Sequence, residues 1–110
     1  SYATKVSSLE ELFEISDIVS LHAPVVAGTE NSVDRALLKK LGPEGILISS
    51  ARAKLVVEED LYQALRTKEI ASAAIDVFWN EPYSGQLINI SEKYFIILSL
   101  ILDNSSKIYF

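Results

Sequence analysis

The chain has 110 residues, of which 49% are hydrophobic and 23% charged, with a net charge of −5 and no cysteine. That is one small globular domain, and its scattered lysines and arginines argue against nucleic acid or an anionic membrane as a partner. The missing cysteines exclude disulfides, thiolate catalysis and Cys-based metal sites.

No run is long enough to span a bilayer. The opening "SYATKVSS" has neither the basic nor the apolar part of a signal peptide, so a cytoplasmic location is expected. The absent initiator Met is expected of a chain cut from something longer.

Short apolar runs alternate with amphipathic segments. "TKVSS" (4–8) fits a strand. "SLEELFEI" (8–15) follows as a helix, with Ser8 as cap, Glu11 placed to complete a capping box, and Leu9, Leu12 and Phe13 on one face. "DIVSLHAP" (17–24) is a buried-type strand stopped by Pro24. "SVDRALLKKLGP" (32–43) reads as a helix capped by Ser32 or Asp34, with lysines in its last turn and Gly42 and Pro43 as stops.

"GILIS" (45–49) lacks polar alternation, as expected of a strand covered on both faces. "VEEDLYQALRTKEI" (57–70) is a helix lined by Leu61, Ala64 and Leu65. "ASAAIDV" (71–77) and "FIILS" (95–99) complete the strands, and "WNEPYSGQLINISEK" (79–93) is expected as a surface loop. Strand–helix–strand units of this spacing give an α/β fold: a parallel sheet of about five strands with alternating helices and right-handed crossovers.

Ligands of open parallel sheets bind outside the carboxyl ends of the strands. The residues standing there are His22 with Pro24, then Ser50, Ala51 and Arg52, then Asp76 with Glu81 nearby. One imidazole, one guanidinium and two carboxylates are thus expected on one edge. A guanidinium in that place can grip a planar carboxylate through two hydrogen bonds. The alternative is an ion pair with Glu58 or Glu59 at the next helix start. Asp76 and Glu81 have the bland reading of caps or solvated loop acids, and His22 that of a hydrogen-bonded structural residue.

The stretches "SLEELFEISDIVSLHAP", "GTEN", "LLKKLGPEGILISSARAKLVVEEDLYQAL" and "IASAAIDVFWNEP", in this order, resemble the NAD-dependent D-2-hydroxyacid dehydrogenases. The similarity is to the second half of their nucleotide-binding domain, and it covers most of residues 8–82. It implies a partial Rossmann-like domain over 1–110, without the glycine-rich half and without the substrate domain. It implies hydride transfer between NAD or NADP and a small 2-hydroxy or 2-keto acid. Arg52 would bind the substrate carboxylate, and Glu81 would pair with a proton-transferring histidine, raising the imidazole pKa toward working pH. Asp76 would contact the nicotinamide's amide end, and His22, Pro24, Thr29 and Ala51 would line the cofactor path. No metal is implied.

The chain departs from that family in three ways. Where the family carries a Pro-His-Ile-Gly-like tetrapeptide after the last strand, alignment puts Leu100 and Ile101 at the proline and histidine positions, and the only histidine is His22. Losing a general acid–base costs about a hundredfold or more in rate. No G-x-G-x-x-G occurs among the four glycines. Ala53 and Lys54 stand where a glycine pair usually follows the arginine. One hypothesis explains the tail. If Leu100–Asp103 are encoded CTC ATA TTG GA(T/C) after a Ser99 codon ending in C, the frame shifted by two bases reads Pro-His-Ile-Gly.

Three functions compete on these grounds. The chain is a fragment or relic of a dehydrogenase without turnover alone, a nucleotide-binding or protein-interaction module, or half of a split enzyme. In each case an incomplete sheet is expected to expose apolar surface and to self-associate or require a partner chain.

Overall fold

The computed structural model describes residues 3–26, 28–50, 52–76, 79, 85–90 and 95–97. Its centre is a parallel sheet of β1 (Ile18–Leu21), β2 (Ile46–Ser49), β3 (Ser72–Ile75) and β4 (Phe95–Ile97), in the spatial order β1-β2-β3-β4. Register aligns Leu21 with Ser49, Ser49 with Ile75 and Ile75 with Ile97, so the four strands end level.

This is the α/β architecture expected, with four of the five strands formed. Residues 4–8 make none. Their last donors are taken instead by the helix that follows: the Ser7 backbone N–H and hydroxyl both donate to the Glu11 carboxylate, at 3.1 and 2.7 Å. A ladder there would have to compete for the same N–H.

Helix α1 (Leu9–Ile15) starts at Ser8, whose Oγ accepts from the Glu11 N–H at 3.1 Å. The box is thus displaced by one residue, since Glu11 reaches Ser7 rather than the Ser8 N–H. Phe13 is fully buried, while Leu9, expected on the same face, is 41% exposed.

Helix α2 (Arg35–Leu41) is capped by Asp34, which accepts from the Leu37 N–H at 3.1 Å. Ser32, the other candidate, donates its hydroxyl to the Thr29 carbonyl instead. The helix ends at Gly42, whose φ of 90° is open to glycine at little cost.

Helix α3 (Glu58–Arg66) follows a 3-10 turn over Ala53–Leu55 and buries Leu61, Ala64 and Leu65 at i, i+3, i+4 spacing. Its acidic first turn and Arg66 in the last turn both favour the helix dipole.

The helices pack in series, α1 on α2 and α2 on α3. Their apolar faces join Val19, Leu21, Leu47, Ala73 and Ile75 of the sheet in one core. Burying a leucine such as Leu38 or Leu61 contributes about 1.5–3 kcal/mol. Burial alternates along β1, β2 and β3, so one face of the sheet is closed while Ile46, Ile48, Ser72 and Ala74 on the other are half-buried. The expected surface loop 79–93 is tied to the core: Leu87, in a 3-10 turn over Gln86–Asn89, is fully buried, and Trp79 packs against the cluster.

Candidate functional site

Because the strands end level, the residue after each of the first three falls on one rim. These are His22, Ser50 and Asp76. The Asp76 backbone N–H donates to the Ser49 carbonyl at 2.9 Å, carrying the β2–β3 pairing one step past the strands. Its half-buried carboxylate has no hydrogen-bond partner among the described residues. Arg52 lies on the same side, exposed, in extended backbone (φ −142°, ψ 130°) at the entry of the Ala53–Leu55 turn. Ala51 and Glu81, and with them Leu100 and Ile101, lie outside the described residues.

His22 is exposed, and its Nε2 stands 2.8 Å from the Ser20 hydroxyl, two residues back on the same strand face. Pro24 and Thr29 belong to the loop leaving β1. The Thr29 hydroxyl accepts from the Val26 N–H at 2.8 Å and faces the Pro24 carbonyl at 2.9 Å and the Val26 carbonyl at 3.2 Å. A hydroxyl has one proton, so Thr29 uses it to fold its own loop.

The loops after β1 and β2 are zipped together. Asn31 N–H donates to the Lys54 carbonyl at 2.8 Å, Val33 N–H to Leu55 at 2.9 Å, and Val57 N–H to Val33 at 2.9 Å. Val33 and Val56 form a parallel bridge. Asn31 reaches its place with φ 59°, a region that asparagine tolerates better than most residues. Trp79 completes the arrangement, its indole N–H donating to the Val56 carbonyl at 3.0 Å.

Two features escaped sequence reasoning. Ser49 is fully buried and its hydroxyl has no hydrogen-bond partner among the described residues. Counting by two from Leu47 puts it on the closed face, so the period of the strand was the available signal. The second is a charge cluster. Arg35 grips Glu69 through Nε and, at 2.9 Å, through a terminal nitrogen, with Lys39 Nζ 3.8 Å away. The Arg35 N–H also donates to Asp60 at 2.9 Å. The hydrogen bonds from Arg35 hold the Glu69 carboxyl below its ordinary range and raise the guanidinium in turn. No periodicity joins residues 34 positions apart, so nothing in the sequence announced this pair.

Among the described residues, no group of three potential metal ligands occurs and no helix is long and apolar enough to cross a membrane.

Comparison with known proteins places this rim in a family. Residues 1–97 match the D-isomer specific 2-hydroxyacid dehydrogenase NAD-binding domain. The D-3-phosphoglycerate dehydrogenase of Haemophilus influenzae is 44% identical over 82 residues, 74% of this chain and 20% of the relative. The hydroxypyruvate reductase of Blautia hydrogenotrophica is 36% identical over 77 residues, 70% of this chain and 24% of the relative.

Among solved structures, the NADPH-dependent glyoxylate/hydroxypyruvate reductase of Sinorhizobium meliloti, in complex with NADP and malonate, superposes with a TM-score of 0.76 at 32% identity. That match covers 82% of this chain and 28% of the other. The holo form of D-mandelate dehydrogenase from Rhodotorula graminis gives 0.78 at 31% identity, over 87% of this chain and 28% of the other. The chain therefore spans about a fifth to a quarter of the curated relatives it matches. With the family matched over residues 1–97, and the strand ends and rim loops arranged as described, the chain belongs to the NAD-binding domains of the D-isomer specific 2-hydroxyacid dehydrogenases.

Proposed function

We propose that residues 1–110 are the crevice-forming second half of the nucleotide-binding domain of an oxidoreductase that moves a hydride between NAD or NADP and a D-2-hydroxy acid, and that the chain has no turnover alone. The observation that carries this reading is the level ending of β1, β2 and β3, with Asp76 bonded through its backbone to Ser49 and Arg52 on the same side.

The residues of the rim suit the nicotinamide end of such a cofactor. The Asp76 carboxylate, without a partner among the described residues, is a ready acceptor for an amide N–H. Arg52 offers paired donors to a substrate carboxylate. His22, Pro24, Thr29 and Ala51 are assigned to the cofactor path, and Glu81 to the proton-transfer couple. A nicotinamide bound there supplies the hydride chemistry, while Arg52 and Asp76 fix the orientation in which it occurs.

Among the described residues the pyrophosphate end has no comparable support. Gly42 closes α2, and Gly45 is packed so tightly on Leu41 that a Cβ would meet its Cγ at 2.2 Å. Neither serves as a phosphate cradle. Weak cofactor affinity and absent turnover follow together. Titration with NADH, followed by Trp79 fluorescence, tests this: no saturation is expected at micromolar NADH. Saturation there would instead make the chain a nucleotide-binding module. Activity appearing only with a companion polypeptide would make it half of a split enzyme.

One observation favours association as a further part of this reading. Strand β1 is the last of the described sheet on its side, and its Ile18 is 56% exposed, with Ile15 nearby in sequence at 65%. An apolar open edge invites pairing. Sedimentation is expected to show self-association that rises with concentration, and a monomer at every concentration would refute it.

A further inference from the structure

The backbone ladder between the loops after β1 and β2 runs from the Asn31–Lys54 bond to the Val57–Val33 bond. Two residues beyond Val33 the contact continues in another form. The Arg35 backbone N–H donates at 2.9 Å to the carboxylate of Asp60, which lies in the first turn of α3. Arg35 is the first residue of α2, so its N–H has no acceptor within that helix. Asp34, the cap of α2, serves Leu37 instead. Asp60 therefore satisfies, from another element, a donor that α2 leaves open. Its own helix gains no such cap, since Val57 at the start of α3 makes no side-chain capping bond.

From the ladder a path of hydrogen bonds leads back to the rim. Val57 N–H donates to the Val33 carbonyl at 2.9 Å, Val33 N–H to Leu55 at 2.9 Å, and Leu55 N–H to Arg52 at 3.3 Å. We propose that Asp60 is a positioning residue for Arg52: by holding the start of α2 it closes the far end of the ladder, so that the loop bearing Arg52 and the loop bearing Thr29 open together and not singly. Arg35 is also tied to Glu69, just past the end of α3, through its guanidinium. That pair works through a long side chain with several rotatable bonds. The Asp60 bond is made to the backbone itself, two residues from Val33.

That Arg52 meets a ligand carboxylate rests on the function proposed above. The closure of the ladder does not, and amide hydrogen exchange followed by NMR tests it without a ligand. In the unmodified chain the Asn31, Val33, Arg35 and Val57 amides are expected to exchange through one common opening. Asp60→Ala is expected to speed all four about tenfold, the upper range for one net hydrogen bond. Leu65 in α3 and Ile46 in the sheet should keep their rates. Asp60→Asn, which keeps an acceptor and loses the charge, should return the four amides to their original rates. An Asn variant as fast as the Ala variant would overturn the proposal, because the effect would then belong to the negative charge in the first turn of α3. Acceleration of Leu65 and Ile46 along with the ladder would overturn it as well, since that is general loss of packing. So would an Arg35 amide that opens apart from the other three in the unmodified chain. Malonate separates the closure from its use: the four amides are expected to slow as Arg52 takes it up. No slowing would sink the carboxylate role of Arg52 and leave the exchange results standing.

Discussion

The backbone N–H of Asp76 donates to the carbonyl of Ser49 at 2.9 Å, and this bond is where the sheet stops being scaffold and becomes a rim. It holds a half-buried carboxylate beside the strand whose continuation delivers Arg52, three residues after Ser49. The first expectation concerns that guanidinium. Arg52→Lys keeps the charge and loses the planar fork. Affinity for malonate, titrated by NMR at the Asp76 amide, is expected to fall about ten- to a hundredfold, the range for hydrogen bonds to charged groups, with Tm unchanged. A fall in Tm with no change in affinity would instead make Arg52 the ion-pair partner of the α3 acids.

The orphan hydroxyl of Ser49 gives a stability prediction. A buried polar group without a partner carries a desolvation cost of about 1–3 kcal/mol, so Ser49→Ala is expected to be neutral or to stabilise by up to about 1 kcal/mol. Urea unfolding measures it. A loss of stability would show that the hydroxyl is satisfied in solution.

For Glu69 the sign of the pH dependence is fixed by the direction of its shift. The carboxyl is held low in the folded chain, first by its hydrogen bonds from Arg35. Its contribution is therefore present above the ordinary carboxylate value and is lost as pH falls through the depressed one. The Tm difference between the wild type and Glu69→Gln is expected to be largest near neutrality and to vanish in acid. Because the pair is partly exposed, it should also shrink in high salt. A difference independent of pH would rule out the ion pair as its source.

Gly45 has no room for a side chain. A Cβ would meet Leu41 Cγ at 2.2 Å, Cδ1 at 2.8 Å and the carbonyl at 3.0 Å. Gly45→Ala is expected to cost about 1–3 kcal/mol as overpacking, seen as a lowered Tm. Combining it with Leu41→Ala, which removes the two obstructing side-chain carbons, should recover part of that loss relative to the sum of the single changes.

The tail makes a genetic prediction. The codons for Ser99 to Asp103 are expected to read Pro-His-Ile-Gly in the frame shifted by two bases. Sequencing the gene decides it, and any base incompatible with Pro-His ends the idea.

Much of this fold was legible because its signals are local. Leu61, Ala64 and Leu65 follow helical spacing, Gly42 and Asp34 bracket α2, and the runs at 46–49 and 72–75 are apolar and β-branched or small. The strand expected at 4–8 failed because serine donors serve a neighbouring helix as readily as a ladder, and the sequence cannot rank the two. The gathering of His22, Ser50 and Asp76 at one edge followed from parallel topology. The turn built around the Thr29 hydroxyl, which accepts from the Val26 N–H and lies 2.9 Å from the Pro24 carbonyl, had no periodicity to announce it. The links Arg35–Glu69 and Trp79–Val56 join distant positions and had no pattern to betray them.

Strand order in this sheet is identical to chain order, β1-β2-β3-β4. Among the described strands, each after the first therefore docks against a neighbour already synthesised. For a parallel sheet, whose pairings are otherwise slow because loops must close over long separations, this is an arrangement suited to growth by accretion during translation. A ribosome-stalled chain ending after β3 is predicted to hold β1 and β2 in native register before the last strand emerges.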